Sequence, residues 1–391
     1  MKSLKSVAMV SNYFNHHQQP LADEIVKLIG DGYTFISTEP MDEGRKKLGW
    51  ELDLPKYVHC SYIDDEHYAH AMEMIDSADV VIIGSAPEKM IKYRIKKNKL
   101  IFRYSERPLK KGLELSKYPV RFIKWRLNNP VGANIYLLCS SAYTAADYAR
   151  FGLFKNRALK WGYFTEVKEY ENIDTLINAK NKNSILWVSR FLKLKHPEYV
   201  IEVADRLKNY GYRFSIDMIG CGELENQIKN IVKQKGLTDY IRFLGTMSPN
   251  QVRVHMEKSQ IFIFTSDFNE GWGAVLNEAM NSGCAVIASH AIGAAPYLVK
   301  EKKNGLIFEN GNVDDLYKKT KWLLDHPDKQ REMGKQAYEY IRSIWSPKEA
   351  ASRFIKLAES ILSGDQIAEY QDGPCSKAEI LHNNWYSPHL Y

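Results

Sequence analysis

Short apolar runs rich in β-branched and aromatic residues alternate with stretches of helical periodicity along nearly the whole chain, and the alternation occurs twice. In the first half the runs are SVAMV (6–10), YTFIS (33–37), VVII (80–83), KLIFRY (99–104) and IYLLCS (135–140). Helical segments such as PLADEIVKLIG (20–30) lie between them, this one ending on Gly30. The second half repeats the scheme with SILWVSR (184–190), FSIDMIG (214–220), IRFLG (241–245), IFIFTS (261–266), AVIAS (285–289) and GLIF (305–308). Near-continuous apolar runs are the mark of strands buried on both faces. Strand–helix alternation predicts parallel sheets wrapped in helices. The sequence therefore reads as α/β, with two tandem Rossmann-like doubly wound domains facing a cleft.

Length supports two domains, since a single core rarely grows past about 250–300 residues and this chain has 391. The expected division is 1–165 for the first domain and 184–345 for the second. Segment 166–183 is polar, shows no periodic core face, and reads as a linker. Residues 346–391 hold an amphipathic helix (347–364) and a polar tail, expected to pack back on the first domain through Trp385 and Tyr386.

Charge narrows the partners only slightly. A net charge of +7 suits phosphate-bearing ligands or an anionic surface. No zinc-finger or RNP signature accompanies it, so nucleic acid is not expected. The five cysteines include no CxxC pair and read as reduced thiols of a cytoplasmic protein. The first apolar run is too short for a signal peptide, and no stretch reaches the ~20 apolar residues of a membrane span.

Chemistry concentrates in TSDFNEGWGAVLNEAMNSG (265–283). Glu270 follows a buried strand, and Gly271 and Gly273 let backbone approach a ligand closely. A helix is expected from Ala274, with Glu278 just over one turn along it. Two carboxylates in this arrangement suit sugar hydroxyls on either side of a diphosphate, although a loop carboxylate and an exposed helix Glu would look the same. Arg190 and Lys195 follow the strand at 184–190 and are the cations a departing diphosphate requires, with Lys193 as a nearby alternative. Gly220 and Gly222 form a GxG turn from strand to helix. In the first half, Asn15, His16, His17 and Gln18 join the first strand to the first helix, and Glu106 follows the strand at 99–104. The adjacent histidines lack a third ligand at metal-site spacing, so no metal is expected. Basic residues crowd 89–126, including Lys89, Lys92, Arg94, Lys96, Lys97, Arg103, Lys110, Arg121 and Lys124. Interleaved Met90, Ile91, Tyr93, Ile95 and Trp125 suggest a peripheral anionic-membrane surface, with a solvated basic face as the plainer reading.

Over about 181–345 the ordered blocks resemble the group 1 (family 4) retaining glycosyltransferases of the GT-B fold. The family's Glu-(seven residues)-Glu signature matches Glu270-GWGAVLN-Glu278, and its Arg followed five residues later by Lys matches Arg190 and Lys195. MIGCGELENQI, IRFLGTMS and AIGAAPYLVKEKKNGLIF resemble further family blocks in the same order. The resemblance implies a metal-independent transferase needing no cofactor, with a nucleotide-sugar (UDP- or GDP-sugar) donor. The acceptor would be a saccharide or lipid-linked saccharide of the cell envelope, met at the inner face of the membrane. It further implies that Glu270 holds the donor sugar, that residues Gly271, Trp272, Gly273, Ala274 and Val275 meet sugar and phosphate, and that Glu278 holds the ribose. Arg190 and Lys195 would take the diphosphate, with Thr246 and Met247 near the base.

The chain departs from the family where His196 replaces a common Gly and where His16-His17-Gln18-Gln19 replaces a common glycine pair. His17 is the candidate for the family's first-half histidine. A nucleotide-sugar epimerase of the same fold and a non-catalytic nucleotide-sugar-binding protein are the competing readings.

Overall fold

A computed structural model describes residues 3–47 and 52–388. The chain forms two compact units, one of residues 1–166 and 344–382, the other of residues 167–343 and 383–391.

The first unit is built on seven strands, β1 (Val7–Ser11), β2 (Tyr33–Ser37), β3 (Val58–Cys60), β4 (Val80–Ile83), β5 (Ile101–Ser105), β6 (Ile135–Cys139) and β7 (Ala158–Lys160). They are hydrogen-bonded in the order β3-β2-β1-β4-β5-β6-β7, and the paired strands run parallel throughout. All five residues of β1 are buried, as its apolar run Val7–Val10 requires of a central strand covered on both faces. Strands β3 and β7 do not stand out in the sequence. Each has three residues, too few to show a period, and each sits at a sheet edge.

The helix Pro347–Ser363 belongs to this unit. Ser346 caps it by accepting from the Glu349 amide (3.2 Å), and Gly364 ends it in the left-handed conformation at φ 72°. It packs on the helix Gln19–Ile29, and its Phe354 meets Phe102 and Trp161 edge-on or tilted at 5.0 and 5.9 Å. Part of the basic stretch is internal. The Arg94 guanidinium is fully buried and donates to the carbonyls of Ile75, Ala78, Asp79 and Leu100. Arg103 makes a two-pronged pair with Glu88 at 2.8 and 2.9 Å. Met90 and Ile91 are core residues as well, so the stretch 89–126 is not a single solvated face.

The second unit carries β8 (Ser184–Val188), β9 (Ser215–Ile219), β10 (Ile241–Gly245), β11 (Ile261–Phe264), β12 (Ala285–Ser289) and β13 (Gly305–Phe308). Their order is β10-β9-β8-β11-β12-β13, again all parallel. Both sheets reverse their order of addition once, between β1 and β4 in the first and between β8 and β11 in the second. At such a point the chain leaves two neighbouring strands in opposite directions, opening a crevice at their carboxyl ends.

Two expectations about segment boundaries are corrected. Within the supposed linker 166–183, residues 167–183 belong to the second unit and include a helix. Asn172 caps a helix, Ile173–Asn178, whose Ile173 and Ile177 are buried against Tyr338. Lys180 places its ammonium group among the carbonyls of Met256 and Ser282, both at 2.8 Å. One apolar face of two isoleucines four residues apart is easily lost among charged neighbours. The tail divides: up to residue 382 it stays with the first unit, as expected, with Cys375 N donating to the Lys160 carbonyl (2.9 Å), while its last aromatics dock on the second. Tyr386 is buried there, its hydroxyl bonded to the Ile307 carbonyl and receiving a hydrogen bond from Lys319 at 2.6 Å.

Candidate functional site

Arg190 and Lys195 emerge from β8, and Glu270 from β11, so they leave the second sheet on the two sides of its switch point. Lys195 Nζ and Glu270 Oε2 form a direct ion pair, both side chains largely withdrawn from solvent. The pair is held from beneath by buried groups. The indole of Trp187 on β8 donates to Thr265 Oγ1 (3.0 Å), and that hydroxyl donates to the Lys195 carbonyl. Asp267 N donates to the Leu194 carbonyl (3.0 Å), stitching the two loops together a second time. Lys195 Nζ also lies 5.7 Å from the centroid of the Phe264 ring. Gly273, at φ 91°, presses against the same ring, where a Cβ would come within 2.5 Å of a ring carbon. Glycine at 273 thus permits both the backbone conformation and the close approach.

Arg190 is exposed on the β8 loop. Its backbone is set by the GxG turn after β9. A Cβ on Gly220 would lie 1.9 Å from the Ser189 carbonyl oxygen, and one on Gly222 would lie 2.5 Å from that of Phe191. Phe191 N donates to the Cys221 carbonyl and Leu224 N to the Phe191 carbonyl, at 2.9 and 3.0 Å. The two glycines therefore let the β9 turn lie flush against the loop that carries Arg190. Thr246 and Met247 occupy the short turn from β10 into a helix capped by Ser248, and Gly220 N ties that turn in through the Gly245 carbonyl (2.8 Å).

The helix expected from Ala274 is Val275–Asn281, seven residues long, with Glu278 half-buried inside it. Residues 271–274 form the bend between the Glu270 loop and this helix. Trp272 is buried there and donates from its indole to Asn277 Oδ1 (2.9 Å).

His196 sits directly after Lys195 in the left-handed conformation, φ 47° and ψ 54°. Glycine would adopt this backbone without strain. Here the histidine ring stacks on Tyr199 at 4.5 Å and pairs with Glu198 (2.7 Å) and Asp267 (3.5 Å). Burial lowers its affinity for protons, but the two carboxylates outweigh this and hold its pKa above the usual histidine value.

At the carboxyl edge of the first sheet, residues 12–18 fold into a self-tied turn. Asn15 Oδ1 accepts from His17 N (2.9 Å), and Gln18 Oε1 accepts from Asn15 N (3.2 Å). Asn15 and Gln18 thus shape the loop. The His16 and His17 rings are 3.9 Å apart, and His17 stacks toward Tyr163 at 6.4 Å. The Tyr163 hydroxyl donates to Glu106 (2.6 Å), which also pairs with Lys110 (2.5 Å). Tyr163 therefore joins His17 and Glu106, a link with no sequence signal because it follows the short strand β7. Burial, then the nearby positive charges of His16 and Arg45, push the His17 imidazole down to about 3. Among the described residues, no group of three or more His, Cys, Asp or Glu is placed to hold a metal ion. No helix among them is long and apolar enough to cross a membrane.

Residues 169–340 match the family described as Glycosyl transferases group 1. An uncharacterized glycosyltransferase of Haemophilus influenzae is 28% identical over 153 residues, 39% of this chain and 42% of that one. The poly(ribitol-phosphate) alpha-N-acetylglucosaminyltransferase of Staphylococcus aureus is 25% identical over 174 residues, 44% of this chain and 34% of that one. These relatives are therefore matched over less than half their length. The crystal structure of the Anabaena protein HepE in complex with UDP superimposes with a TM-score of 0.66 at 14% identity, over 92% of this chain and all of that one. At that identity the likeness is one of fold. Two tandem Rossmann-like units of the GT-B kind, with the motif blocks in order along the second, make the chain similar in fold to the GT-B glycosyltransferases and its second unit similar in sequence to the group 1 glycosyl transferases.

Proposed function

We propose that this chain is a retaining glycosyltransferase that moves a sugar from a UDP- or GDP-sugar to a lipid-linked or cell-envelope saccharide, working as a peripheral protein at the inner membrane face. The observation that carries the reading is the Lys195–Glu270 ion pair at the switch point of the second sheet, on the loop that also carries the exposed Arg190. An acid and a base held together at the switch point of the second sheet are poised to exchange partners. An arriving diphosphate draws Lys195 away from Glu270, and the freed carboxylate accepts hydroxyls of the donor sugar. Relatives support this reading. The HepE structure contains UDP, and the Staphylococcus protein is named for transfer of N-acetylglucosamine to a poly(ribitol-phosphate).

In the transfer, the bond from the anomeric carbon to the diphosphate breaks and its electron pair stays on the phosphate oxygen. Arg190 and Lys195 balance the charge that builds there, a role we assign to these side chains and not to a metal. The acceptor hydroxyl attacks from the face the diphosphate leaves, and its proton passes to the departing oxygen. The anomeric configuration is thereby kept. Glu278 is assigned to the ribose, residues 271–275 to sugar and phosphate, and Thr246 and Met247 to the base. His17 and Glu106, joined through Tyr163, are assigned to the acceptor side, with Asn15, His16 and Gln18 shaping their loop.

Purified protein incubated with a panel of UDP- and GDP-sugars should release nucleoside diphosphate slowly without acceptor and faster with a cell-envelope lipid extract. The sugar should be transferred with its anomeric configuration unchanged. Failure to turn over any donor in the panel contradicts the proposal.

A further inference from the structure

The helix Tyr118–Asn128 is apolar on two opposite sides. At 100° per residue, Tyr118, Phe122 and Trp125 fall within about 60° of arc, and Val120, Ile123 and Leu127 fall within about 60° on the other side. The aromatic side faces inward onto Leu109, Phe151 and Leu153, with the Trp125 and Phe151 rings 4.4 Å apart. The aliphatic side is bare, with Val120 70%, Ile123 60% and Leu127 72% exposed. Leu115 and Val131, just before and just after the helix, are exposed as well, at 79% and 74%. A helix apolar on both sides is normally enclosed, and clustered bare aliphatic side chains mark a contact surface.

Charge decides what covers it. Between positions 110 and 131 the sequence has six cations (Lys110, Lys111, Lys117, Arg121, Lys124, Arg126) and a single carboxylate, Glu114. Glu114 is already met by Lys117 at 2.5 Å and Arg121 at 3.7 Å. Lys124 and Arg126 flank the bare side on the helical projection, about 40° and 60° beyond its two edges, with Arg121 behind Lys124. A second copy of this chain brought onto the same face would set these cations against one another. An anionic lipid surface satisfies both features together, taking aliphatic side chains into its acyl boundary and phosphates against the lysines.

We infer that this helix face is a membrane-docking surface that inserts Val120, Ile123 and Leu127 into an anionic bilayer. The apolar residues singled out from the sequence differ from these, since Met90 and Ile91 are buried in the first unit's core and Trp125 faces inward. The inference rests on the peripheral part of the proposed function, and it is tested apart from the donor chemistry.

The test is sedimentation of the full chain with vesicles of phosphatidylcholine alone or with about one-third phosphatidylglycerol. The wild type should partition at least about tenfold more onto the anionic vesicles, with the difference shrinking in high salt. Ile123→Gln with Leu127→Gln should lower partitioning at least about tenfold, and Lys124→Glu should lower it on anionic vesicles only. Circular dichroism and acceptor-free donor hydrolysis should remain as in the wild type. Absent vesicle binding, or binding that the double variant retains, overturns the inference. So does a dimer in sedimentation velocity that the double variant dissolves, which would give the face to a second copy. Loss of hydrolysis in the wild type would instead count against the donor reading alone.

Discussion

At the scale of single residues the site depends on side chains held by unlike means. Glu270→Gln keeps a hydrogen-bond acceptor for Lys195 but removes the charge, so the fold should persist while turnover of the nucleotide-sugar falls by about 10²–10³. Steady-state kinetics beside a melting curve check this, and near-normal turnover in a folded variant would refute the role given to Glu270. His196 is a second case, because its left-handed backbone favours glycine. His196→Ala should destabilise the protein by about 1 kcal/mol more than His196→Gly, both losing the ring contacts but only alanine keeping the strain. Urea unfolding of the two variants measures the difference, and equal midpoints would show that no strain is stored there. His17 gives a pH dependence. Its folded pKa lies far below the unfolded value of about 6.5, so the unfolded chain binds the extra proton and stability falls as pH drops below about 6.5. The slope from this group approaches about 1.4 kcal/mol per pH unit at most. His17→Gln should flatten the stability profile between about pH 6 and 5, and an unchanged slope would mean that the ring titrates normally.

At the scale of elements, the second sheet positions the candidate site through backbone that only glycine allows. Gly220→Ala puts a Cβ against the Ser189 carbonyl and should cost more than 2 kcal/mol or so, with weakened nucleotide binding because the Arg190 loop must shift. Gly311→Ala is the control. Its φ is also positive, but a Cβ there meets nothing within 4 Å, so only about 1 kcal/mol is expected. Comparable losses in the two variants would show that the close approach to Ser189 does not matter. The same elements show how far the sequence could be read. β2, β4, β10, β12 and β13 match their expected bounds residue for residue, because β-rich runs of four or five residues between turn residues mark where each strand starts and stops. β3 and β7 escape because three-residue edge strands carry no period. The Lys195–Glu270 pair lies 75 positions apart in sequence and was approached only through motif spacing. Tyr163, Trp187 and Thr265 gave no signal, since what they do depends on which strands lie side by side.

At the scale of the whole chain, the helix Pro347–Ser363 completes the first unit and the tail beyond 382 completes the second, so the C-terminal stretch serves both. The tail's anchor is chemical as well as apolar. Lys319 is fully buried between Asp315 and the Tyr386 hydroxyl, and His290 stacks on Tyr386 at 5.5 Å while meeting Phe268 of the Glu270 loop at 5.4 Å. Removing the hydroxyl with Tyr386→Phe takes one partner from a buried ammonium group and should cost about 1–3 kcal/mol. A melting curve that does not move would show that Asp315 suffices alone. The tail's place was not legible because its composition resembles a disordered segment, and only Tyr386 and Trp385 marked it as one that docks.

The central claim is that Lys195, paired with Glu270 at the switch point of the second sheet, receives the diphosphate of an activated sugar. The most direct measurement is calorimetric titration of UDP and GDP into the wild-type chain and into Lys195→Met, with folding of both verified by circular dichroism. One of the two nucleotides should bind the wild type and bind the variant at least about tenfold more weakly, the loss of one charge-assisted phosphate contact. Binding of neither nucleotide to the wild type, or equal affinity in a folded Lys195→Met, would contradict the account.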